Sequence, residues 1–373
     1  MTAPALASER REQILEILAA EGSARLSALA DRLGVTPVTV RRDVSQLADQ
    51  GLVQRVHGGV SLTASARPTP APAADGAPSL RRAPQPAATD GAGTTIGIVV
   101  PSMDYYYPGV LSGARAAAEE LGIRLVLGVS SYRIDEDRRQ VQRLVDDIGV
   151  DAVLTAPAID QPDGGELASW LAGLDTPVVL LERSPRRATQ HAVLESVVTD
   201  HALGAGLAVE HLAGLGHRRI GLASRTSPTM AAVRDGWRAA VRDLALPAGP
   251  DLDVVSYDHS GSRESIDRAL DAMLDARCTA VLVHADPEAI TLLERCDDRG
   301  ISVPDDLSVI AYDDEVAAIA PQPITAVRPP RTTVGRLGVR LVAERLADPA
   351  RPAQRVVLSP QLRPRATTAP PRR

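Results

Sequence analysis

From residue 94 onward the chain alternates between two hydrophobic rhythms. Short β-branched and aliphatic runs recur: TIGIVV, RLVLGV, DAVLTA, PVVLLE, SVVT, RIGLAS, LDVVSY, AVLVHA and LSVIAY. Most are separated by stretches whose apolar positions are spaced three and four apart, as over 109–121 and 200–215. Continuous apolar runs fit strands buried on both faces, and the intervening spacing fits amphipathic helices. Repeated strand–helix alternation predicts parallel sheets covered by helices on both sides, an α/β architecture. The repeats are too many for one simple sheet, so two similar doubly wound lobes are expected.

The first 62 residues follow another pattern. Periodic apolar positions over 9–20 predict a helix with Ile14, Leu15 and Leu18 inward. Ser27 can cap a second helix, ALADRL, which Gly34 would end in the left-handed conformation. Thr36 can cap a third, with Pro37 at its first position, where a missing N–H costs nothing. Two helices about a glycine-containing turn make a helix-turn-helix. At about 100° per residue, Val40, Val44 and Leu47 of the third helix share one side and face the core. The opposite side carries Val38, Arg42 and Ser45, flanked by Thr39 and Arg41. Arginine can grip a guanine edge with two hydrogen bonds or neutralise a phosphate. Threonine or valine can touch a thymine methyl. Residues 36–45 therefore form a candidate recognition surface for double-stranded operator DNA. Asp43 flanks the core side, where it can orient a neighbouring arginine. Leu52, Gln54 and Val56 then alternate up to Gly58-Gly59, a two-residue hairpin turn. This stretch reads as a β-wing, with Arg55 and His57 near its tip and within reach of a backbone phosphate.

Residues 63–93 are rich in Pro, Ala and Gly without apolar periodicity, which reads as a semi-extended linker. The expected organisation is a winged head over 1–62, this linker, a large domain over 94–364 and a disordered tail over 365–373. Charge refines the picture. The first 93 residues hold 10 Arg against 9 acids and the remaining 280 hold 31 against 38. That excludes a globally basic nucleic-acid coat and leaves room for a local basic face. Cys278 and Cys296 are isolated and read as ordinary reduced thiols. No apolar run is long enough to span a bilayer, and the N-terminus lacks a signal-peptide core, so a cytoplasmic protein without a membrane partner is expected.

Aromatic residues are scarce: six Tyr, two Trp and no Phe. Yet three Tyr stand together in SMDYYYP, just past the first strand of the large domain, at the end of an α/β sheet where ligands bind. A dinucleotide site would need G-x-G-x-x-G there, and it is absent. The sequence also lacks a Walker loop, a G-x-S-x-G elbow and an H-E-x-x-H pair. No catalytic residue, cofactor or metal is therefore expected.

Two family resemblances follow from particular motifs. RREQILEIL, LADRLGVTPVTVRRD and GLVQRVHGG make residues 9–62 resemble the DeoR family of bacterial regulators. IGIVVP, VDAVLTAP, TPVVLLER, ISVPDDLSVIAYDDE and ITAVRPPRTTVGRLG make residues 94–364 resemble the effector domain of the LacI family and its relative, the periplasmic ribose-binding protein. The second resemblance implies two Rossmann-like lobes joined by three crossovers, with an effector clamped between them. It places lobe one at about 94–199 and 315–345, and lobe two at about 200–313 and 347–364. It carries effector contacts onto Tyr106 and Tyr107, Arg183, Asp286 and Asp313, with Ser130 and Tyr132 as weaker candidates. Aromatic faces with arginine and carboxylates suit a sugar-like ligand. Tyr105 falls where the family usually has proline, which implies that it is the expendable ring. Local alternatives stay open. Asp286 can cap the helix after it, Asp313 can cap a turn, and Arg183 can pair with Glu182 or Asp200. His217 reads as structural.

Three positions depart from the family pattern. Ala231 stands for an arginine, Ala285 for an asparagine and Pro329 for a glutamine, each removing a polar contact. Arg225, His284 and Glu182 are possible substitutes. The combined expectation is a homodimeric transcriptional regulator, a repressor in its simplest form. Its two heads would read half-sites about one helical turn apart, under control of a sugar-like effector that closes the lobes. An enzyme tethered to DNA, a transport protein and a constitutive regulator with a degenerate pocket are the rivals.

Overall fold

The computed structural model describes residues 13–15, 17–18, 23–33, 40, 44, 47, 53–56, 59–62, 93–184, 194–254 and 262–372. They fall into two compact units, one within 1–88 and one within 89–373.

In the first unit, strand β1 (Ser23–Arg25) leads directly into helix α1 (Leu26–Leu33), and β2 (Val53–Val56) and β3 (Gly59–Leu62) form a hairpin. The sheet is antiparallel in the order β1-β3-β2. Ile14, Leu18, Leu29, Val40, Val44 and Leu47 bury together with Val53 and Val60. The inward stripe read for the third helix, Val40-Val44-Leu47, is thus at most 2% exposed. Two details differ from the sequence reading. Helix α1 begins at Leu26, so Ser27 lies in its first turn rather than before it; pairing of β1 with β3 sets the entry point. Val56 pairs with Gly59, so the two-residue connection is 57–58, one position before Gly58-Gly59. Thr36, Val38, Thr39, Arg41, Arg42, Ser45 and His57 lie outside the described residues, as do the Arg55 side chain and linker positions 63–92.

The second unit holds two six-stranded sheets. In chain order its first part is β4 (Thr95–Val100), α2 (Tyr107–Leu121), β5 (Arg124–Val129), α3 (Ile134–Gln142), β6 (Ala152–Thr155), α4 (Gly164–Ala172), β7 (Val178–Leu181) and β8 (Glu195–Thr199). There follow α5 (His201–Gly214), β9 (Ile220–Arg225), α6 (Met230–Asp243), β10 (Ala248–Val254), α7 (Ser262–Asp275), β11 (Ala280–His284), α8 (Asp286–Asp298) and β12 (Ser308–Tyr312). Strand β13 (Thr325–Arg328), α9 (Arg331–Ala347), β14 (Arg355–Leu358) and β15 (Gln361–Arg363) complete it. One sheet runs β14-β8-β7-β6-β4-β5 and the other β10-β9-β11-β12-β13-β15, parallel except where β15 runs against β13. In each sheet the strand order reverses beside its first strand, so the carboxyl ends of β4 and β9 are the two topological switch points.

The lobe boundaries shift from those implied by resemblance. Thr325 pairs with Ile310, which keeps β13 in the second sheet, and Val356 pairs with Val197, which puts β14 on the first. The ITAV run is buried and fills the second sheet, while half-exposed RVVL forms an edge of the first. The three crossovers are therefore 199–201, 328–331 and 358–361. Helix α9 belongs with lobe one, where its backbone meets α2 directly. A Cβ on Gly113 would lie 1.8 Å from the Thr332 carbonyl oxygen, and one on Gly335 1.8 Å from that of Val110. Only glycine permits that approach.

The segment expected as a disordered tail is ordered through residue 372. Thr367 is fully buried; its hydroxyl oxygen accepts the Thr325 N–H at 2.9 Å and its hydroxyl donates to the Val309 carbonyl at 2.6 Å. His217, structural as expected, bonds the Thr279 hydroxyl and the Ala369 carbonyl, both at 2.8 Å. The tail acts as a strap that satisfies polar groups at one end of the second sheet. Cys278 and Cys296 are buried free thiols, both pushed up to about 11 by burial. No helix among the described residues is long and apolar enough to cross a membrane. Nor do His, Cys, Asp and Glu cluster there in a way that could hold a metal ion.

Candidate functional site

The carboxyl ends of both sheets face a shared cleft of about 60 Å³. Lobe one lines it with Tyr105, Tyr106, Tyr107, Tyr132, Glu182 and Arg183. Lobe two contributes Arg225, the turn at 227–229, His284 and Asp313. The Tyr run and Arg225 lie just past the two switch points, which is why residues so far apart in sequence converge.

The tyrosines are not equivalent. The Tyr106 hydroxyl donates to the Glu182 carboxylate at 2.6 Å, and its ring meets Tyr107 edge-on with centroids 5.6 Å apart. Tyr107 is nearly fully buried; burial raises its phenol well above the ordinary value, and the Arg183 guanidinium partly counters this. Tyr105, implied to be expendable, also lines the cleft and reaches the other lobe: the Asp286 N–H points to its hydroxyl at 3.4 Å. It is thus a contact between lobes.

Glu182 organises the floor. Its carboxylate accepts from Tyr106, from the Thr199 hydroxyl at 2.8 Å and from the Thr199 N–H at 2.9 Å, with His201 Nε2 3.6 Å away. Burial alone would raise this carboxyl, but these partners outweigh it and hold it below its usual range. His201 sits on the first crossover, and its Nδ1 contacts the Tyr312 hydroxyl at 3.1 Å. A line of polar groups, hydrogen-bonded except for the 3.6 Å step between Glu182 and His201, therefore runs from Tyr106 in lobe one to the carboxyl end of β12 in lobe two.

Arg183 is 6% exposed and donates to the carbonyls of Pro157 and Glu182 at 3.1 and 2.8 Å. It does not pair with Glu182 or Asp200 at the surface. Asp313 has a positive φ of 102°, faces the cleft and has no side-chain hydrogen bond among the described residues. Burial pushes its carboxyl up to about 7, the Asp286 charge adds to that, and His201, Arg331 and Arg225 oppose it. His284 is 2% exposed and burial drives it down to about 3, so it stands neutral, edge-on to Tyr312.

Two expected contacts are spent elsewhere. The Ser130 hydroxyl donates to Asp137 at 2.6 Å, and the other Asp137 oxygen accepts the Ala158 N–H at 2.7 Å. Asp286 is fully buried, and its carboxylate accepts the backbone N–H groups of residues 314 to 317 at 2.7–3.1 Å. It neither lines the cleft nor caps its own helix, whose N-cap N–H goes to Glu288 at 3.1 Å. Instead it fixes the turn that presents Asp313. The three substitutes, Arg225, His284 and Glu182, all line the cleft. Spacing in the sequence did not select them. Each is the last residue of a strand or the next one, and that position was the available signal.

Comparison with known proteins accords with this geometry. A DeoR-like helix-turn-helix domain matches residues 10–66, and a periplasmic binding protein-like domain matches residues 209–368. The arabinose metabolism transcriptional repressor of Geobacillus stearothermophilus is 26% identical over 333 residues, covering 86% of this chain and 85% of that one. The transcriptional regulator AscG of Escherichia coli is 28% identical over 62% of this chain and 68% of its own length. A crystal structure of a LacI family transcriptional regulator from Mycobacterium smegmatis superposes with a TM-score of 0.61 at 28% identity, covering 74% of this chain and all of that one. The two domain matches and the likeness to transcriptional regulators identify a DNA-binding transcriptional regulator. It combines a DeoR-type winged helix-turn-helix head with a LacI-type effector domain, and its relatives are regulators rather than enzymes.

Proposed function

We propose that this regulator is a cytoplasmic, homodimeric repressor released or engaged by a sugar-like metabolite clamped between its lobes. Tyr106, Tyr107, Arg183 and Asp313 contact that metabolite, joined by Tyr105, Tyr132 and Arg225. The observation that carries this reading is Asp313: a buried carboxyl group with no side-chain hydrogen bond among the described residues, lining a cleft walled by tyrosines. A carboxylate in that setting needs donors, and the hydroxyls of a polyol supply them while its ring stacks on aromatic faces. Thr36, Val38, Thr39, Arg41, Arg42 and Ser45 read the operator, with Arg55 and His57 on phosphate. Residues 63–93 join head to effector domain as a linker. A flexible chain of that length spans roughly 30 Å, so the signal passes through dimer geometry rather than a rigid hinge. Titrating sugars into the full-length chain on operator DNA, with binding followed by fluorescence anisotropy, tests this. Ligand binding in calorimetry together with altered operator affinity is expected. Ligand binding that leaves operator affinity unchanged would refute the coupling, and no binding by any sugar would refute the effector.

A further inference from the structure

Several partly buried arginines of this domain are tightly ion-paired. Arg234 meets Asp251 at 2.7 Å, Arg345 and Arg351 meet Glu195 at 3.0 and 2.7 Å, and Arg365 meets Asp314 at 2.8 Å. The two arginines of the cleft differ from these. Arg183 Nε is 3.9 Å from Asp160, and Arg183 donates two hydrogen bonds to neutral carbonyls. Arg225 Nη1 is 3.9 Å from Glu288, whose other oxygen already accepts the Ala285 N–H, and Arg225 makes no hydrogen bond among the described residues. Those separations exceed a charge-assisted hydrogen bond by about 1 Å.

The two guanidiniums come from opposite lobes and line the same cleft. Both act on the Tyr132 phenol, which burial raises and which Arg183 first, then Arg225, pull back down. Closing the lobes over an empty cleft therefore leaves both guanidiniums facing it with donors unmet, which opposes closure. A neutral ligand leaves them without a close counter-charge. An anionic group between them supplies that charge and occupies the free donors.

We infer that the effector is a hydroxylated anion whose carboxylate or phosphate sits between Arg183 and Arg225, with its hydroxyls toward Asp313 and the tyrosines. This rests on the effector reading above and narrows it. Arg225 then does more than replace the arginine missing at Ala231: it decides the charge of the ligand.

Calorimetry on the full-length chain tests this with matched sets: D-glucose, D-glucuronate and glucose 6-phosphate, then D-ribose and ribose 5-phosphate, with inorganic phosphate alone. At low salt, one anionic member should bind roughly ten- to a hundredfold more tightly than its neutral parent. Whether carboxylate or phosphate wins names the source of the charge. Arg225→Gln should erase the preference, while Arg225→Lys, which keeps the charge, should retain part of it. A neutral sugar binding as tightly as its anions, or a preference that survives Arg225→Gln, overturns the inference and leaves the effector reading intact. Binding by no member of the panel tells against both. Binding of inorganic phosphate alone, without any sugar, also overturns it.

Discussion

The cleft and the C-terminal strap are built from similar residues and treat them oppositely. Along the strap, Thr367, Thr325, His217 and Ser308 meet one another or a backbone carbonyl. In the cleft, Asp313 and Arg225 are left without hydrogen-bond partners on their side chains among the described residues, and the arginine–carboxylate distances are long. Asp313 and its neighbour Asp314 state the contrast within two residues. Asp314 is ion-paired with Arg328 at 2.6 Å and Arg365 at 2.8 Å, whereas Asp313 faces the cleft. Satisfied groups hold a fold together, and buried groups kept short of partners mark where a molecule is awaited.

The comparison can be broken at several points. Truncation after Arg363 removes the strap and strands buried groups on Thr325, Val309 and His217. At about 1–3 kcal/mol for each, it should lower stability by at least about 3 kcal/mol in urea unfolding. Asp286→Ala frees four backbone N–H groups and should cost about 3 kcal/mol or more, with loss of ligand binding because the turn bearing Asp313 loosens.

Asp313→Asn should do the reverse. The native carboxyl titrates near 7 and the unfolded one near 4. Between those values the native state holds a proton that the unfolded chain has lost, so stability falls as pH rises, and the loss is complete above pH 7. The Asn variant should therefore melt higher than the parent at about pH 8, by on the order of 2–4 kcal/mol, with the gain vanishing below about pH 4. It should also bind effector more weakly. Arg42→Ala should lower operator affinity by about 1–3 kcal/mol in anisotropy titrations, and unchanged affinity would remove it from the interface. Tyr105→Phe, the mildest change, should weaken ligand binding by about 1 kcal/mol or less while leaving stability unaltered.

The alternation of apolar runs and the inward stripe of the third helix were readable because each depends on neighbours a few residues away. The aromatic run and Arg183 were readable as site residues because they sit at strand ends. Ser130 and Asp286 occupy equally suggestive places, yet their partners, Asp137 and the turn 314–317, are chosen by the fold. A polar residue at a strand end looks the same whether it meets a ligand or a backbone amide. The strap escaped notice for a related reason. Its Pro- and Arg-rich sequence has no periodicity, and its order comes from single hydrogen bonds to residues 40 or more positions away. Crossover boundaries are not legible in the sequence because β13 and β14 are four-residue strands whose sheet is set by partners and not by their own pattern.

The narrowness of the cleft has a consequence in time. Its 60 Å³ accommodates a handful of waters, far below the few hundred Å³ of an ordinary small-molecule pocket. A sugar-sized effector can enter or leave only while the lobes stand apart, so both passages share one gate. An effector bound as proposed leaves only as fast as the lobes open, and the link between the Tyr105 hydroxyl and the Asp286 N–H is one of the contacts that must part.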